Sequence, residues 1–240
     1  MIKNLSILFL KFFDYFHKKK IIKYLKSLEI ESFNIFFDVG AHIGESIDLF
    51  CNNFSIKSIY SFEASLKNYN LLKNRTEKLK KKFNQSNIYI YNLAAGDKNQ
   101  EKKINQLDES SSSTLIDINQ NSKYFRKKSG FLYKKKNYSQ KINTNQIRLD
   151  KFILDSNIKN IDFIKLDTEG YEFYVLNGLG KYIQNTKYIL FEHHYHNMLI
   201  KNYSFSDMHN LLRKNNFKKI FKAKMPFRKT FEYIYKNENM

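Results

Sequence analysis

The feature that most constrains the fold is a repeated alternation of short apolar runs with longer, more polar segments. Three early apolar runs predict buried strands, at 35–39, 57–64 and 87–96. Helices are predicted before and between them, at 21–31, 45–53 and 66–83. Strands that alternate with helices in this way form a parallel sheet with right-handed crossovers.

The same pattern returns in the second half of the chain. Strands are predicted at 161–167, 187–196, 217–223 and 231–236, and helices at 170–181 and 206–215. The stretch between the two halves, 97–148, is polar and basic, and only its end, 141–149, alternates as a strand does. We interpret 97–148 as an insertion with hairpins and not as a separate domain.

The length of 240 residues fits one substantial α/β domain. We assign residues 35–240 to this domain and residues 1–34 to an amphipathic helical extension. The longest apolar run near the amino terminus, 7–10, is far too short to span a bilayer, and no signal-peptide cleavage pattern follows it. The extension is expected to pack on the domain edge, with peripheral membrane contact as the alternative.

The net charge of +19 would ordinarily indicate a nucleic acid or an anionic membrane as a partner. Only five of the 42 basic residues are arginines, whereas phosphate-binding sites favour the arginine fork. Richness in Lys, Asn and Ile is typical of an AT-rich genome, so a nucleic-acid partner is not expected.

The single cysteine, Cys51, excludes an internal disulfide and a cysteine-rich zinc site. This usage is typical of a reducing compartment, and a cytoplasmic location is expected, with possible attachment to the membrane periphery.

Two scarce glycines frame the turn after the first strand, in the sequence FFDVGAHIGE at 36–45. Such a turn binds nucleotide-like cofactors in α/β folds, because glycine permits close backbone approach. The dinucleotide pattern G-x-G-x-x-G is absent, since His42 stands where the middle glycine belongs. This difference argues against NAD and FAD.

Two carboxylates indicate what the turn binds instead. Asp38 would repel a pyrophosphate but suits the ammonium of an amino acid, directly or through water. Glu63, at the end of the second strand, suits two ribose hydroxyls. A cofactor with an adenosine, an amino acid and no phosphate is S-adenosylmethionine. The alternatives are a helix cap at Asp38 and a solvated strand-end charge at Glu63.

Seven segments occur in the order and spacing of one family: FFDVGAHIGES, YSFEAS, NLAAGD, SSSSTL, IRLDKF, FIKLDTEGYEFYVLNG and ILFEHH. On these segments the chain resembles the FkbM-type methyltransferases over about residues 35–223. The resemblance implies the Rossmann-like class I methyltransferase fold, a mostly parallel seven-stranded sheet with an antiparallel last strand and helices on both faces. It also implies O-methyl transfer, often to sugar or polyketide hydroxyls. The chain departs from the family at His42, where asparagine is commoner.

The resemblance also implies roles for the cofactor-binding residues. The methionine part of the cofactor would be lined by Gly40, Ala41, His42, Gly44 and Glu45, with Asp38 near its ammonium and Glu63 on its ribose. Ala64 would lie under the adenine, and Ala94, Ala95 and Asp97 would lie along its edge. The serines around Ser112 would belong to a loop that closes over the cofactor, or else to a plain flexible loop.

KLDTEGYE, at 165–172, stands where the transferred methyl group should point. An acceptor alcohol needs a base to take its proton, and Asp167 and Glu169 are candidates, with Lys165 able to tune them. If Thr168 points into the core, strand alternation puts Asp167 and Glu169 together on the other face. The alternative is a helix amino-terminal cap without a catalytic part.

EHHYH, at 192–196, holds three of the six histidines. In an extended strand Glu192, His194 and His196 share one face. His194 could be the general base, or Glu192, His194 and Asp167 could hold a divalent metal. Ordinary hydrogen-bonded histidines are favoured over a metal site, so no metal is expected.

The residues and the resemblance together predict an S-adenosylmethionine-dependent O-methyltransferase that acts on a hydroxyl. The resemblance alone implies that the acceptor is a sugar of a surface polysaccharide or glycolipid. The rivals are a nucleic-acid methyltransferase and a non-catalytic module that keeps the cofactor pocket. The first usually carries Asn/Asp-Pro-Pro-aromatic, where this chain has Asp-Thr-Glu-Gly. The second does not explain why Asp167 and Glu169 are both present.

Overall fold

The computed structural model describes residues 2–107, 110–132 and 139–240, and it contains two β-sheets surrounded by helices. The strands are β1 (Ser32–Val39), β2 (Ser55–Phe62), β3 (Asn87–Tyr91), β4 (Ala94–Gly96), β5 (Gln100–Leu107), β6 (Ser139–Arg148), β7 (Ile161–Leu166), β8 (Thr186–His194), β9 (Phe217–Lys224) and β10 (Thr230–Asn237). The helices are α1 (Ile2–Ser27), α2 (Glu45–Cys51), α3 (Leu66–Lys82), α4 (Lys123–Leu132), α5 (Leu149–Asp155), α6 (Glu172–Gly178) and α7 (Phe205–Lys214). Short 3₁₀ helices lie at Ser110–Ser112 and Gly180–Asn185.

The main sheet has seven strands in the order β3-β2-β1-β7-β8-β10-β9. The pairs among β3, β2, β1, β7 and β8 are parallel, whereas β10 runs antiparallel to both of its neighbours. The predicted α/β class, the seven strands and the antiparallel last strand are therefore confirmed. The order reverses between β1 and β7, which places the carboxyl ends of both strands at a crevice suited to a ligand.

The core lies on both faces of this sheet. On one face, α1, α2 and α3 bury residues such as Leu25, Phe50 and Leu72 against Phe36 and Phe163. On the other face, α5, α6 and α7 cover another set of strand residues, which includes Val39, Leu166 and Phe191. Burial on both faces explains the continuous apolar strands of the sequence.

The third predicted strand, 87–96, is wrong as a single element. β3 ends at Tyr91 and pairs with β2, whereas β4 starts at Ala94 and pairs with β6 in a separate sheet of order β4-β6-β5. Asn92 lies between them and donates a side-chain hydrogen bond to the carbonyl of Glu63 at 2.9 Å. The chain therefore changes sheets at a polar anchor that the apolar pattern does not show.

The predicted insertion is ordered by this second sheet. β5 and β6 pair antiparallel, with α4 between them in the chain, and neither α4 nor α5 was predicted. The basic segment 126–136 and the serine segment 108–114 lie in this region, and residues 133–136 and 108–109 are outside the described residues.

The amino-terminal extension is one helix that ends at Ser27, so the helix predicted at 21–31 is its second half. Its residues Ile21, Ile22 and Leu25 are buried in the core. Across the described chain we find no helix with both the length and the apolar character that crossing a bilayer requires.

A close contact between two glycines fixes α6 on the second sheet. A Cβ atom on Gly178 would stand 1.9 Å from the carbonyl oxygen of Gly96. We expect Gly178→Ala to lower the free energy of unfolding by about 1–3 kcal/mol, because a backbone segment must move. Urea denaturation measures this change.

The matched control is Gly130→Ala in α4, where an added Cβ would meet no atom within 4 Å. Alanine is the better helix former there, so a gain of up to about 1 kcal/mol is expected. Equal losses in both variants would contradict the packing role of Gly178.

Candidate functional site

The turns after β1 and β7 meet at the crevice of the main sheet. Gly40 adopts a φ of 84°, and a Cβ atom there would stand 1.9 Å from the carbonyl oxygen of Asp167. The N–H of Asp167 donates to the carbonyl of Val39 at 2.9 Å. The lack of a side chain at Gly40 thus brings the two turns together, and this contact explains why glycine is needed.

A buried lysine joins the two strands below these turns. Lys165 Nζ lies 3.1 Å from a carboxylate oxygen of Asp167 and 3.5 Å from Oδ1 of Asp38. Burial opposes the charge of Lys165, but Asp167 and Asp38 together raise its pKa, so the ammonium stays protonated. Lys165 therefore pairs with Asp167 and Asp38, and no ion pair between Lys165 and Glu169 is found among the described residues.

Asp38 is fully buried, and its Oδ2 atom has no hydrogen-bond partner among the described residues. It is not a helix cap, because α2 starts after Gly44 without a side-chain cap. A buried carboxylate oxygen without a partner is costly, so this atom fits a bound cation or a water that links to one.

Glu63 is buried at the end of β2 and is not a solvated charge. Its two carboxylate oxygens accept hydrogen bonds from the backbone N–H groups of His42 at 2.8 Å and Ser65 at 2.9 Å. Burial raises its pKa to about 6, although these N–H groups favour the ionised form. An ionised carboxylate has about four acceptor sites, and the two N–H groups use one on each oxygen, with the Asn68 side chain as a further donor, so capacity remains for a hydroxyl.

His42 connects the glycine turn to the serine segment. Its Nδ1 lies 3.2 Å from a carboxylate oxygen of Glu45, and its Nε2 lies 3.0 Å from Oγ of Ser110. Lys128 of α4 donates to Oγ of Ser112 at 2.6 Å. The serine segment thus lies beside the glycine turn and contacts α4.

The four residues that were predicted to lie around the adenine differ in burial. Ala64 and Asp97 are partly exposed, whereas Ala94 and Ala95 are buried in β4. Ala94 and Ala95 pair with β6, and Ala95 belongs to the same core cluster as Phe62. Ala41 is buried in the core of the opposite face.

The Asp-Thr-Glu-Gly segment is a turn, so the predicted strand alternation stops at Leu166. Glu169 has a φ of 51° and Gly170 a φ of 95°. Neither Asp167 nor Glu169 caps α6, which begins after Tyr171 without a side-chain cap. The helix-cap alternative for these two carboxylates is therefore wrong.

Glu172 holds this turn, and sequence reasoning did not single it out. Its buried Oε1 accepts from the N–H and Oγ1 of Thr168 and from the N–H of Gly170, at 3.0–3.1 Å. Its Oε2 accepts from Tyr203 at 3.1 Å. An acidic residue in the first turn of a helix, two positions after a glycine, was the available signal.

His194 faces the same turn from β8. Its Nε2 lies 3.3 Å from a carboxylate oxygen of Glu169 and 3.5 Å from one of Glu192. Neither contact has the geometry of a hydrogen bond. Its Nδ1 lies 3.1 Å from Oγ1 of Thr230. Thr230 was also missed, because only the pairing of β10 with β8 brings it here.

Burial sets the protonation of this cluster. It lowers the pKa of His194 well below its usual value, and neighbouring cations add to this effect. Burial also raises the pKa of Glu192, helped by the charges of Asp167 and Glu169. At neutral pH His194 is therefore neutral, and burial favours the protonated form of Glu192.

The predicted shared face of the EHHYH strand is present. Glu192 contacts His194, and the His194 and His196 rings are 5.0 Å apart. Asp167 is paired with Lys165, and no three His, Cys, Asp or Glu residues in the described chain are arranged to hold a metal ion.

Known proteins resemble this chain in sequence and in fold. The sequence matches the family model described as Methyltransferase FkbM domain over residues 38–219. No curated protein sequence matches the chain.

Three solved structures share the fold. The methyltransferase FkbM from Methylobacillus flagellatus KT has a TM-score of 0.55 and 16% identity, over 85% of this chain and 43% of that chain. The magnesium protoporphyrin IX methyltransferase from Synechocystis PCC 6803, with bound S-adenosylmethionine, has a TM-score of 0.54 and 8% identity, over 95% and 81%. The methyltransferase domain of bacterial CtHen1 has a TM-score of 0.51 and 11% identity, over 93% and 99%. The chain thus spans less than half of the FkbM structure that it matches.

The role of Glu172 can be tested by measuring the stability of two variants. We expect Glu172→Ala to cost about 3 kcal/mol or more, because it leaves buried donors of Thr168, Gly170 and Tyr203 without an acceptor. Glu172→Gln keeps a carbonyl oxygen and should cost clearly less. Thermal unfolding of both variants measures the difference, and equal costs would contradict this role.

The difference in stability between the wild type and Glu172→Gln is expected to depend on pH. Burial raises the pKa of Glu172 in the folded state above its usual value near 4.5. The stabilising contribution of the wild-type carboxyl is therefore complete below that value and is lost as the pH rises through the folded pKa. Glu172→Gln lacks this loss, so its stability relative to wild type should improve as the pH rises.

Proposed function

Because the chain belongs to the FkbM family of S-adenosylmethionine-dependent methyltransferases, we propose that it transfers a methyl group to a hydroxyl oxygen. The proposed acceptor is a sugar of a surface polysaccharide, a glycolipid or a related natural product. The observation that carries the proposal is the buried Glu63 carboxylate, which two backbone N–H groups orient beside the glycine turn. A dinucleotide pocket would instead need a glycine where His42 stands, and the Asp38 carboxylate would repel its pyrophosphate.

In this proposal the cofactor lies across the ends of β1 and β2. Glu63 accepts the ribose hydroxyls, and Asp38 Oδ2 receives the ammonium, directly or through a water. The residues proposed to line the rest of the cofactor are Gly40, Ala41, His42, Gly44 and Glu45 for its methionine part, Ala64, Ala94, Ala95 and Asp97 for its adenine, and Ser112 for the closing loop. This assignment is supported by the burial of both carboxylates and by Asp38 Oδ2, which has no hydrogen-bond partner among the described residues.

Bound S-adenosylmethionine supplies an electrophilic methyl group on a sulfonium, and the sulfide that leaves needs no proton. The protein must then hold the acceptor oxygen in line and take its proton, because an alcohol is a poor nucleophile while protonated. Three groups at the ends of β7 and β8 can do this, namely Asp167, Glu169 and His194. We propose that they form one proton-accepting cluster.

The surroundings of Asp167, Glu169 and His194 indicate a different role for each of them. Asp167 is paired with Lys165, whose ammonium lies 3.1 Å from its carboxylate. His194 is neutral, and its buried Nε2 has room for a proton beside Glu169. A proton taken by His194 would be stabilised by the adjacent Glu169 carboxylate, as in other base and carboxylate pairs.

Peripheral membrane contact through α1, on the cytoplasmic side, is also proposed. The exposed residues Tyr15, Phe16 and the lysines 18–20 support it, because aromatic and basic side chains favour an anionic lipid surface. Such contact would bring the enzyme to lipid-linked glycans.

The cofactor pocket is tested by calorimetric titration with S-adenosylhomocysteine. We expect micromolar binding, weakened in Glu63→Ala by about 1–3 kcal/mol, because the ribose acceptors are lost. Glu77→Ala, on the exposed part of α3, is the matched control and should bind as the wild type does. Since the pKa of Glu63 is about 6, wild-type affinity should fall as the pH decreases through that value.

A folded wild-type protein that does not bind S-adenosylhomocysteine would contradict the proposed function. Unchanged affinity in Glu63→Ala would instead place the ribose elsewhere.

Transfer itself is tested with a panel of free sugars, glycolipids and lipid-linked glycans in anionic vesicles. We expect release of S-adenosylhomocysteine with at least one hydroxylated acceptor. Asp167→Asn, Glu169→Gln and His194→Gln should keep cofactor binding and slow transfer, by about 10²-fold or more for the residue that acts as the base. Release only with an RNA or DNA acceptor would contradict the proposed substrate class.

A further inference from the structure

Two carboxylates of the main sheet, Glu192 on β8 and Glu232 on β10, lie opposite each other near His194. β10 pairs with β8 so that Glu232 stands directly opposite Glu192, and Thr230 opposite His194. Glu192 and Thr230 contact the two ring nitrogens of His194. Like charges directly opposite each other destabilise a sheet, so the Glu192 and Glu232 pair needs a proton or a cation from another element.

The partners come from the amino-terminal helix and the hairpin between β9 and β10. His17 of α1 contacts the Glu232 carboxylate, with only 4% of the histidine side chain exposed. Asp14, one turn earlier in α1, pairs with Arg228 of the hairpin at 2.9 Å. The Arg228 guanidinium is also close enough to Glu192 and Glu169 for their charges to raise its pKa.

These two ion pairs are part of a larger contact. Phe13 packs edge-on against Phe227 of the hairpin, with ring centroids 5.1 Å apart. α1 also contacts α4, whose Tyr124 stacks on His196 at 4.0 Å between ring centroids. In the sheet order, this assembly stands on the far side of β7 from the glycine turn. It therefore borders β8, the strand that carries Glu192 and His194.

We propose that α1 is a working part of the candidate active site, in which Asp14 and His17 are positioning residues. Asp14 holds Arg228, His17 holds Glu232, and through them Glu192 and His194 keep their places. This inference rests on the proposed function for its catalytic meaning, but the contacts that carry it are independent of the cofactor pocket.

The physical consequence of losing either residue follows from charge. Without Asp14, the nearest remaining carboxylates for Arg228 are Glu169 and Glu192, and the guanidinium would draw them away from His194. Without His17, Glu232 faces Glu192 with no partner from α1. In both cases the surroundings of the His194 ring change, although no residue of α1 touches that ring in the contacts described above.

The inference is tested by long-range proton–nitrogen spectra of histidine rings at one fixed pH. The His194 signals are assigned with His194→Gln, in the full-length protein labelled on histidine nitrogen. Asp14→Asn and His17→Gln are expected to shift the His194 ring nitrogens, whereas Asp14→Glu keeps the ion pair and should restore the wild-type positions. Lys23→Ala, an exposed change on the same helix, is the matched control.

Other charged groups around His194 are unchanged in these variants, so a shift reports the α1 contacts. These groups are Lys128 of α4, Lys201, His193, His196, Glu169 and Glu192. Shifts in Asp14→Asn and His17→Gln, absent in Asp14→Glu and Lys23→Ala, would establish the positioning role. A merely structural helix would lower the melting temperature without this selective pattern.

Titration with S-adenosylhomocysteine separates this inference from the proposed function. If all variants bind it within about twofold of wild type and the His194 signals do not move, the positioning role is overturned and the cofactor assignment stands. If the folded wild type fails to bind it, the proposed function fails, whatever the His194 spectra show. Should one variant not fold, the other carries the test.

Discussion

The close approach of the Gly40 backbone to the Asp167 carbonyl is the constraint on which the site depends. It joins the turn after β1 to the turn after β7, together with the hydrogen bond from Asp167 N–H to the Val39 carbonyl. Any side chain at position 40 would separate the two turns. The cofactor residues proposed on β1 and β2 and the proton acceptors proposed on β7 and β8 stand within reach of each other because of this contact.

The carboxylates around that contact have different surroundings. Asp38 and Asp167 share the Lys165 ammonium, Glu63 accepts backbone N–H groups, and burial raises the pKa of Glu192. Different surroundings allow carboxylates to take different roles within one small volume. The arrangement is consistent with a site that binds one cation and removes one proton.

The local sequence pattern predicted most of the helices and strands. It failed where the chain leaves one sheet and pairs in another. The seven strands of the main sheet were predicted because apolar runs of that length are buried on both faces. The run at 87–96 was read as one strand, but the polar Asn92 anchors to the end of β2 and sends Ala94 and Ala95 into the second sheet. The basic α4 was missed, and its Tyr124 stacks on His196, a contact between residues far apart in the chain that no local pattern records.

The sequence by itself determined the α/β class, the glycine turn and the carboxylates at the strand ends, because these depend on residues close together in the chain. Only the tertiary structure decided which groups surround them. Glu172 under the Asp-Thr-Glu-Gly turn, Thr230 beside His194, and the pairs of Asp14 with Arg228 and His17 with Glu232 all depend on the order of strands in the sheet. Two of these contacts join residues more than 200 positions apart, and a local pattern contains no record of such a distance.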